Sequence, residues 1–103
     1  MEAVLNSLIA KIVESVDPDK IILFGSRGRG QETPDSDYDF LILKRGINNR
    51  RALSQQLYRT LIDVSAVVNI LVETPELVEK YRYTQGLVYA EALKGRVVYE
   101  RKD

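Results

Sequence analysis

The apolar residues of the N-terminal segment recur three and four positions apart, which is the spacing of one helix face. They are Val4, Leu5, Leu8, Ile9, Ile12 and Val13. Asp17-Pro18 ends the pattern, because a residue that precedes proline disfavours the helical conformation. We therefore predict an amphipathic helix over residues 2–16.

Four short apolar segments follow, and their length and their content of β-branched residues are typical of strands. The first is followed by a glycine, the second begins with an Asp-x-Asp pair, and the last is short enough to be an edge strand. The predicted strands are "KIILF" at 20–24, "DYDFLIL" at 37–43, "AVVNILV" at 66–72 and "RVVYE" at 96–100.

Three further helices are predicted between the strands. One covers about 48–61 and turns Leu53, Leu57, Tyr58 and Leu61 inward, and another spans about 87–93 and stops at Gly95. The third begins at Thr74-Pro75, with threonine as cap and proline in the first turn, and reaches roughly residue 83. Helices that alternate with short apolar strands predict an α/β (α+β) fold, a small mixed β-sheet with helices packed on it. We expect one domain over residues 1–103.

Composition excludes several kinds of site. The chain has no cysteine and no histidine, so thiolate and imidazole metal ligands are absent and any metal must be a hard cation bound by oxygen. Fifteen basic and fifteen acidic residues cancel, so no global field favours direct nucleic-acid or membrane binding. The N-terminal pattern is not that of a signal peptide, and we expect a cytoplasmic protein.

The start of the second strand carries Asp37 and Asp39. Side chains alternate across a strand, so both carboxylates point to one face, where they repel each other unless a cation lies between them. Magnesium accepts carboxylate and phosphate oxygens together, so this pair can hold a nucleoside triphosphate through metal. The alternative is a solvated entrance to the strand, since acidic residues are common near turns.

The first strand ends at Gly25-Ser26, where glycine allows a sharp turn and a close ligand. A helical turn that starts at Ser26 would direct N–H groups toward an anion, and Arg27 and Arg29 add guanidinium groups that suit phosphate oxygens. A flexible Gly/Arg loop or a generic RNA-binding segment is the alternative. The absence of interleaved aromatic residues weighs against RNA.

Gly25-Ser26, ten residues and then Asp37-x-Asp39 resemble the signature of the polymerase-β-like nucleotidyltransferases. The resemblance extends through "DKIILFGSRGRG", "VNILVETPELVEKY" and "EALKGRVVYER", and it is to the minimal nucleotidyltransferase domains of prokaryotes. It implies that Asp37 and Asp39 are catalytic metal ligands and that Gly25 and Ser26 hold phosphates. Arg27 and Arg29 become candidate nucleotide-binding residues.

The same resemblance implies an activity and a partner. Minimal nucleotidyltransferases are typically paired with a helical HEPN-family toxin, a ribonuclease-like protein, in a hetero-oligomer. They act as the antitoxin by transferring AMP from ATP to a tyrosine of that toxin. The implied cofactor is Mg²⁺, with two ions in the active site, and ATP is the substrate.

One position departs from the family pattern. A third carboxylate normally stands before the "TPE" helix start, and counting back from Thr74 places Asn69 there. Asparagine offers an amide oxygen but no negative charge and no basic group. Glu73 lies on the same face but about 13 Å along the strand, too far to replace it. Two functions stay open, an adenylyltransferase that tolerates Asn69 as its third catalytic residue and a binding module that neutralises its partner by occlusion. A small-molecule acceptor would need a partner chain.

Overall fold

The structure of the protein is a computed structural model that describes residues 2–102. The two ends of the expected domain, Met1 and Asp103, lie outside the described residues. Within them the chain forms five helices and four strands. In chain order they are α1 (Ala3–Val16), β1 (Lys20–Phe24), α2 (Gly25–Gly28), β2 (Tyr38–Leu43), α3 (Arg50–Leu61), β3 (Val68–Glu73), α4 (Pro75–Tyr81), α5 (Val88–Leu93) and β4 (Arg96–Glu100).

The strands form one mixed sheet in the order β3-β2-β1-β4. β2 pairs antiparallel with β1, β1 pairs antiparallel with β4, and β2 pairs in parallel with β3. Because parallel neighbours need a crossover connection, α3 returns the chain from the end of β2 to the start of β3. The predicted mixed sheet is confirmed, and β4 does occupy one edge.

Apolar side chains cover both faces of the sheet. On one face, α1 and α3 pack their buried leucines and isoleucines against the side chains of Ile21, Leu23, Phe40 and Ile42. On the other face, Val78 of α4 and Ala92 of α5 pack against Ile22, Leu41 and Leu43. The alternation along β2 therefore decides which layer each side chain joins.

One predicted core position is wrong. Tyr58 was expected to face inward from α3, but 45% of it is exposed, whereas Leu57 and Leu61 are buried. The tyrosine hydroxyl accepts a hydrogen bond from the backbone N–H of Ile70 at 2.9 Å. Ile70 lies on the edge strand β3, whose outward N–H groups have no strand partner, so Tyr58 covers part of that edge.

A buried carboxylate at the end of β3 connects this strand to α3 and α5. Glu73, with 5% of its side chain exposed, is paired with the guanidinium of Arg50 at the start of α3 and accepts a hydrogen bond from the Tyr89 hydroxyl on α5. The bond to Glu73 raises the pKa of Arg50, and burial together with the same carboxylate raises the pKa of Tyr89. The Glu73 carboxylate is thus occupied by its contacts with α3 and α5.

Candidate nucleotide and metal site

Phe24, Asp39 and Asn69 form one row across three neighbouring strands. Asp39 is the register partner of Phe24 in β1 and of Asn69 in β3. Residues opposite each other in a sheet point to the same face, so the side chains of Asp39 and Asn69 meet on the face that also carries Leu41. Asp37 stands one residue before β2, and its carboxylate reaches the same group of side chains.

The Asn69 amide connects the two carboxylates. Its Nδ2 donates to Asp39 Oδ1 at 2.8 Å and to Asp37 Oδ2 at 3.1 Å. An amide NH₂ has two donor hydrogens, and here each is directed to one carboxylate. The three residues that the sequence nominated as catalytic therefore lie together, and Asn69 stands in direct contact with both acids.

The backbone at Gly25 passes directly beside Asp39. Gly25 has a φ of +68°, and a Cβ built there would overlap Asp39 Oδ2 and lie 3.2 Å from its Cγ. Only glycine combines this left-handed conformation with so close an approach. The end of β1 is consequently in contact with the start of β2, which carries Asp39.

The short α2 turn that carries Ser26 is closely packed on β1. A Cβ at Gly28 would strike the carbonyl oxygen of Leu23, and a Cβ at Gly95 would strike the same oxygen from the α5–β4 turn. The Ser26 carbonyl accepts hydrogen bonds from the N–H groups of Arg29 at 3.2 Å and Gln31 at 2.9 Å. The turn predicted at Ser26 is present, and a Cβ built at Gly28 would lie 3.6 Å from the Cα of Gly95, so the α5–β4 turn packs beside it.

The side chain of Arg27 contacts other residues of the protein. Its guanidinium stacks 4.0 Å from the centroid of the Tyr38 ring, and its Nε donates to the Ser36 carbonyl at 3.0 Å. Burial, with a hydrogen bond from the Tyr38 hydroxyl to Glu2, raises the pKa of Tyr38 to about 12. The Tyr38 ring lies on the α1 side of the sheet, opposite to the carboxylates. Arg27 therefore braces the loop before β2, and its phosphate role stays a prediction.

Arg29 is exposed and stands beside a small cavity. The cavity has a volume of about 110 Å³ and is lined by Phe24, Gly25, Arg29, Glu91, Lys94 and Gly95. Arg29 donates to the side chain of Gln31, and Lys94 lies 3.8 Å from Glu91 at a highly exposed ion pair. A second basic side chain, Lys94, thus comes near the Gly25 turn.

A larger cleft lies on the other side of the sheet. It has a volume of about 660 Å³, and its lining includes Glu2, Arg27, Asp35 and Tyr38 but none of Gly25, Ser26, Asp37, Asp39 or Asn69. The candidate site residues therefore lie at the sheet end and not in this cleft.

Comparison with known proteins places this geometry in a family. The family model described as "Polymerase beta, Nucleotidyltransferase" matches residues 6–103, nearly the whole chain. The chain belongs to this nucleotidyltransferase family. No curated protein sequence matches it significantly.

Solved structures share the nucleotidyltransferase fold at low sequence identity. A protein of Sulfolobus solfataricus, assigned as a nucleotidyltransferase, is 23% identical and superposes with a TM-score of 0.59 over 93% of this chain and 85% of its own. The toxin–antitoxin pair MntA–HpeT, carrying two Asp→Glu substitutions, gives 18% identity and a TM-score of 0.54 over 94% of this chain and 73% of the matched chain. A toxin–antitoxin structure with AMP-PNP is 20% identical and superposes with a TM-score of 0.53 over 93% of this chain and 73% of the matched chain. The predicted polymerase-β-like core is confirmed.

The donor set of this nucleotidyltransferase suits a hard cation in part. Two carboxylates and one amide oxygen are ligands that Mg²⁺ accepts. Among residues 2–102, however, no group of three or more acidic, histidine or cysteine side chains could hold a metal ion. Asp37 and Asp39 are thus the two charged groups that would hold an ion, and Asn69 could add its Oδ1 only by turning its amide.

The residue that sequence patterns missed is Lys94. No local pattern singles out this lysine, because its nearness to Gly25 depends on β4 pairing with β1.

None of the helices between Glu2 and Lys102 has the length and the apolar character needed to cross a membrane.

Proposed function

We propose that this nucleotidyltransferase transfers AMP from ATP to a tyrosine of a partner HEPN-family toxin and so acts as the antitoxin. The observation that carries the proposal is the meeting of Gly25 with Asp39 at one end of the sheet. One side of that contact is a backbone turn suited to phosphate, and the other is a carboxylate pair suited to a cation.

The reaction needs an in-line displacement at the α-phosphorus of ATP. The acceptor tyrosine oxygen forms a bond to that phosphorus, and the bond from phosphorus to the bridging oxygen of the β-phosphate breaks. Pyrophosphate leaves with the electron pair, and the phenolic proton is released to solvent. Catalysis of such transfers depends mainly on positioning and electrostatics.

Each residue of the site has a task in this scheme. Asp37 and Asp39 would hold magnesium, which supplies charge neutralisation and orients the phosphates when it is bound. The Gly25–Ser26 turn would bind the terminal phosphates through its backbone. Arg29 lies on the exposed side of the same turn and would neutralise phosphate charge there.

The partner is proposed from the sequence resemblance and from the two toxin–antitoxin structures that share the fold. In the MntA–HpeT pair the two substituted aspartates stand two positions apart, as Asp37 and Asp39 do here. The AMP-PNP complex supports an adenine nucleotide as the substrate. A hetero-oligomer follows, because this chain supplies no acceptor of its own in the scheme.

The test is transfer of label from ATP to the protein encoded beside this gene. With Mg²⁺ and ATP labelled at the α-phosphate, the partner should become labelled, and with ATP labelled at the γ-phosphate it should not. Asp37→Ala should abolish labelling, whereas the matched control Asp35→Ala removes an exposed carboxylate of the same loop and should keep it. Labelling that survives Asp37→Ala would refute the assignment.

The second candidate is a binding module that inhibits its partner by occlusion. The specific observation in its favour is that the NH₂ of Asn69 is directed into the space between the carboxylates. An unlabelled partner in a stable complex, together with labelling by an Asn69→Asp variant, would favour this function.

A further inference from the structure

The orientation of the Asn69 amide has one chemically acceptable solution in the free protein. Its oxygen would repel two carboxylate oxygens, whereas its NH₂ can donate to both. The two bonds, at 2.8 Å to Asp39 and 3.1 Å to Asp37, place a donor where a cation would otherwise separate the acids. The amide thus relieves part of the repulsion between Asp37 and Asp39 without a metal.

We infer that Asn69 makes this a site for one divalent ion, which enters with the nucleotide. The inference rests on the proposed function, since it assumes that Asp37 and Asp39 bind a nucleotide-bound cation. It departs from the two-ion arrangement that the sequence resemblance implied, and the reason lies in this chain's own residue at position 69.

Charge limits the number of ions. The two carboxylates carry two negative charges between them, and Asn69 adds none, so a second divalent ion would leave the protein ligands well short of neutrality. Glu73, the next acid on that face of β3, is already paired with Arg50 and Tyr89. A triphosphate that chelates the ion brings its own negative charge, so such an ion needs only the two aspartates from the protein.

Binding of that ion requires the amide to turn. A cation between Asp37 and Asp39 repels the NH₂ of Asn69, so rotation about the terminal side-chain torsion, which is broad and roughly two-fold, would bring Oδ1 inward. A bare ion must break both hydrogen bonds and gains only two carboxylates. We therefore expect Mn²⁺ alone to bind weakly to the protein.

The experiment counts bound Mn²⁺ by electron paramagnetic resonance on the full chain. The probe is Mn²⁺, alone and with saturating α,β-methylene-ATP, whose α–β bridge cannot be cleaved. The wild type should bind one ion per chain with the analogue, and Asn69→Asp should bind two. Asn69→Asp should also bind Mn²⁺ alone about tenfold tighter or more, as expected for adding a charged ligand.

A control variant and two further measurements test the interpretation. Asn6→Asp makes the same chemical change at an exposed position of α1 and should keep the wild-type count. Circular dichroism of Asn69→Asp establishes that the variant folds. In the wild type, the nitrogen-15-resolved NH₂ signals of Asn69, assigned by their loss in the variant, should shift when Mg²⁺ and the analogue are added together.

The outcomes separate the two proposals. Two ions in the wild type, or one ion in Asn69→Asp, would overturn the one-ion inference and leave the nucleotidyltransferase proposal standing. No ion in the wild type with the analogue would overturn both. An unchanged Asn69 NH₂ signal upon binding of one ion would overturn the rotation of the amide.

Discussion

The contact between Gly25 and Asp39 gives the sharpest prediction for this fold, through the substitution Gly25→Ala. Two costs arise. Alanine at a φ of +68° costs about 1–2 kcal/mol, the penalty for the left-handed region. Its Cβ would also overlap Asp39 Oδ2, and displacing a packed neighbour costs about 1–3 kcal/mol more.

A matched control separates the two costs. Gly46 has a φ of +71° with no atom within 4 Å of a built Cβ, so Gly46→Ala has only the backbone cost. Both substitutions restrict the unfolded chain equally, and that contribution cancels in the comparison. Urea unfolding followed by circular dichroism should give a loss of about 1–2 kcal/mol for Gly46→Ala and about 2–5 kcal/mol for Gly25→Ala.

Removing the carboxylate should remove the extra cost. In an Asp39→Ala background the nearest remaining atom of residue 39 is its Cβ, 3.5 Å from the built Cβ and in ordinary contact. Gly25→Ala should then cost no more than Gly46→Ala. Equal losses for the two glycine substitutions in the wild-type background, or an undiminished loss in the Asp39→Ala background, would refute the reasoning.

Three smaller changes test other contacts. Arg50→Ala leaves the buried Glu73 with one partner fewer and should lower the free energy of unfolding by more than Arg51→Ala, which removes an exposed arginine of the same helix; similar losses would contradict the role of Glu73. Burial raises the pKa of Tyr38 to about 12 from 10.0. The contribution of this tyrosine to the free energy of unfolding is therefore fully present below pH 10 and declines between pH 10 and 12. Unfolding at a series of pH values should show this extra decline relative to Tyr38→Phe, and parallel curves would exclude it. Arg27→Ala should cost about 2–4 kcal/mol in urea unfolding, from the lost ring stacking and the bond to Ser36; a neutral result would leave Arg27 available for phosphate.

Local patterns predicted the order of the elements and much of the site. The two-residue spacing of Asp37 and Asp39 predicted their common face, which depends only on strand alternation within a short segment. Asn69 was selected by the resemblance to the family pattern, counted back from the Thr74-Pro75 helix start. The first two residues of the predicted third strand instead precede β3, which begins at Val68.

Contacts between distant segments escaped prediction. Whether Arg27 turns toward phosphate or toward the Tyr38 ring depends on the loop at 33–36, whose carbonyl groups receive the guanidinium. Tyr58 satisfies the periodicity of a buried helix face, yet its hydroxyl is used at the sheet edge. Lys94 approaches Gly25 only because β4 joins the sheet beside β1. These placements follow from tertiary packing, which no single segment encodes.

The common approach of Gly28 and Gly95 to the Leu23 carbonyl has a consequence for folding during synthesis. The turn beside Ser26 is synthesised early, but its support leaves the ribosome about seventy residues later, with the strand that pairs Lys20 to Glu100. Such non-local pairing is formed late because long loops must close first. A nascent chain without β4 would already contain Asp37 and Asp39, while the turn at Ser26 would still lack the packing of Gly95 beside Gly28.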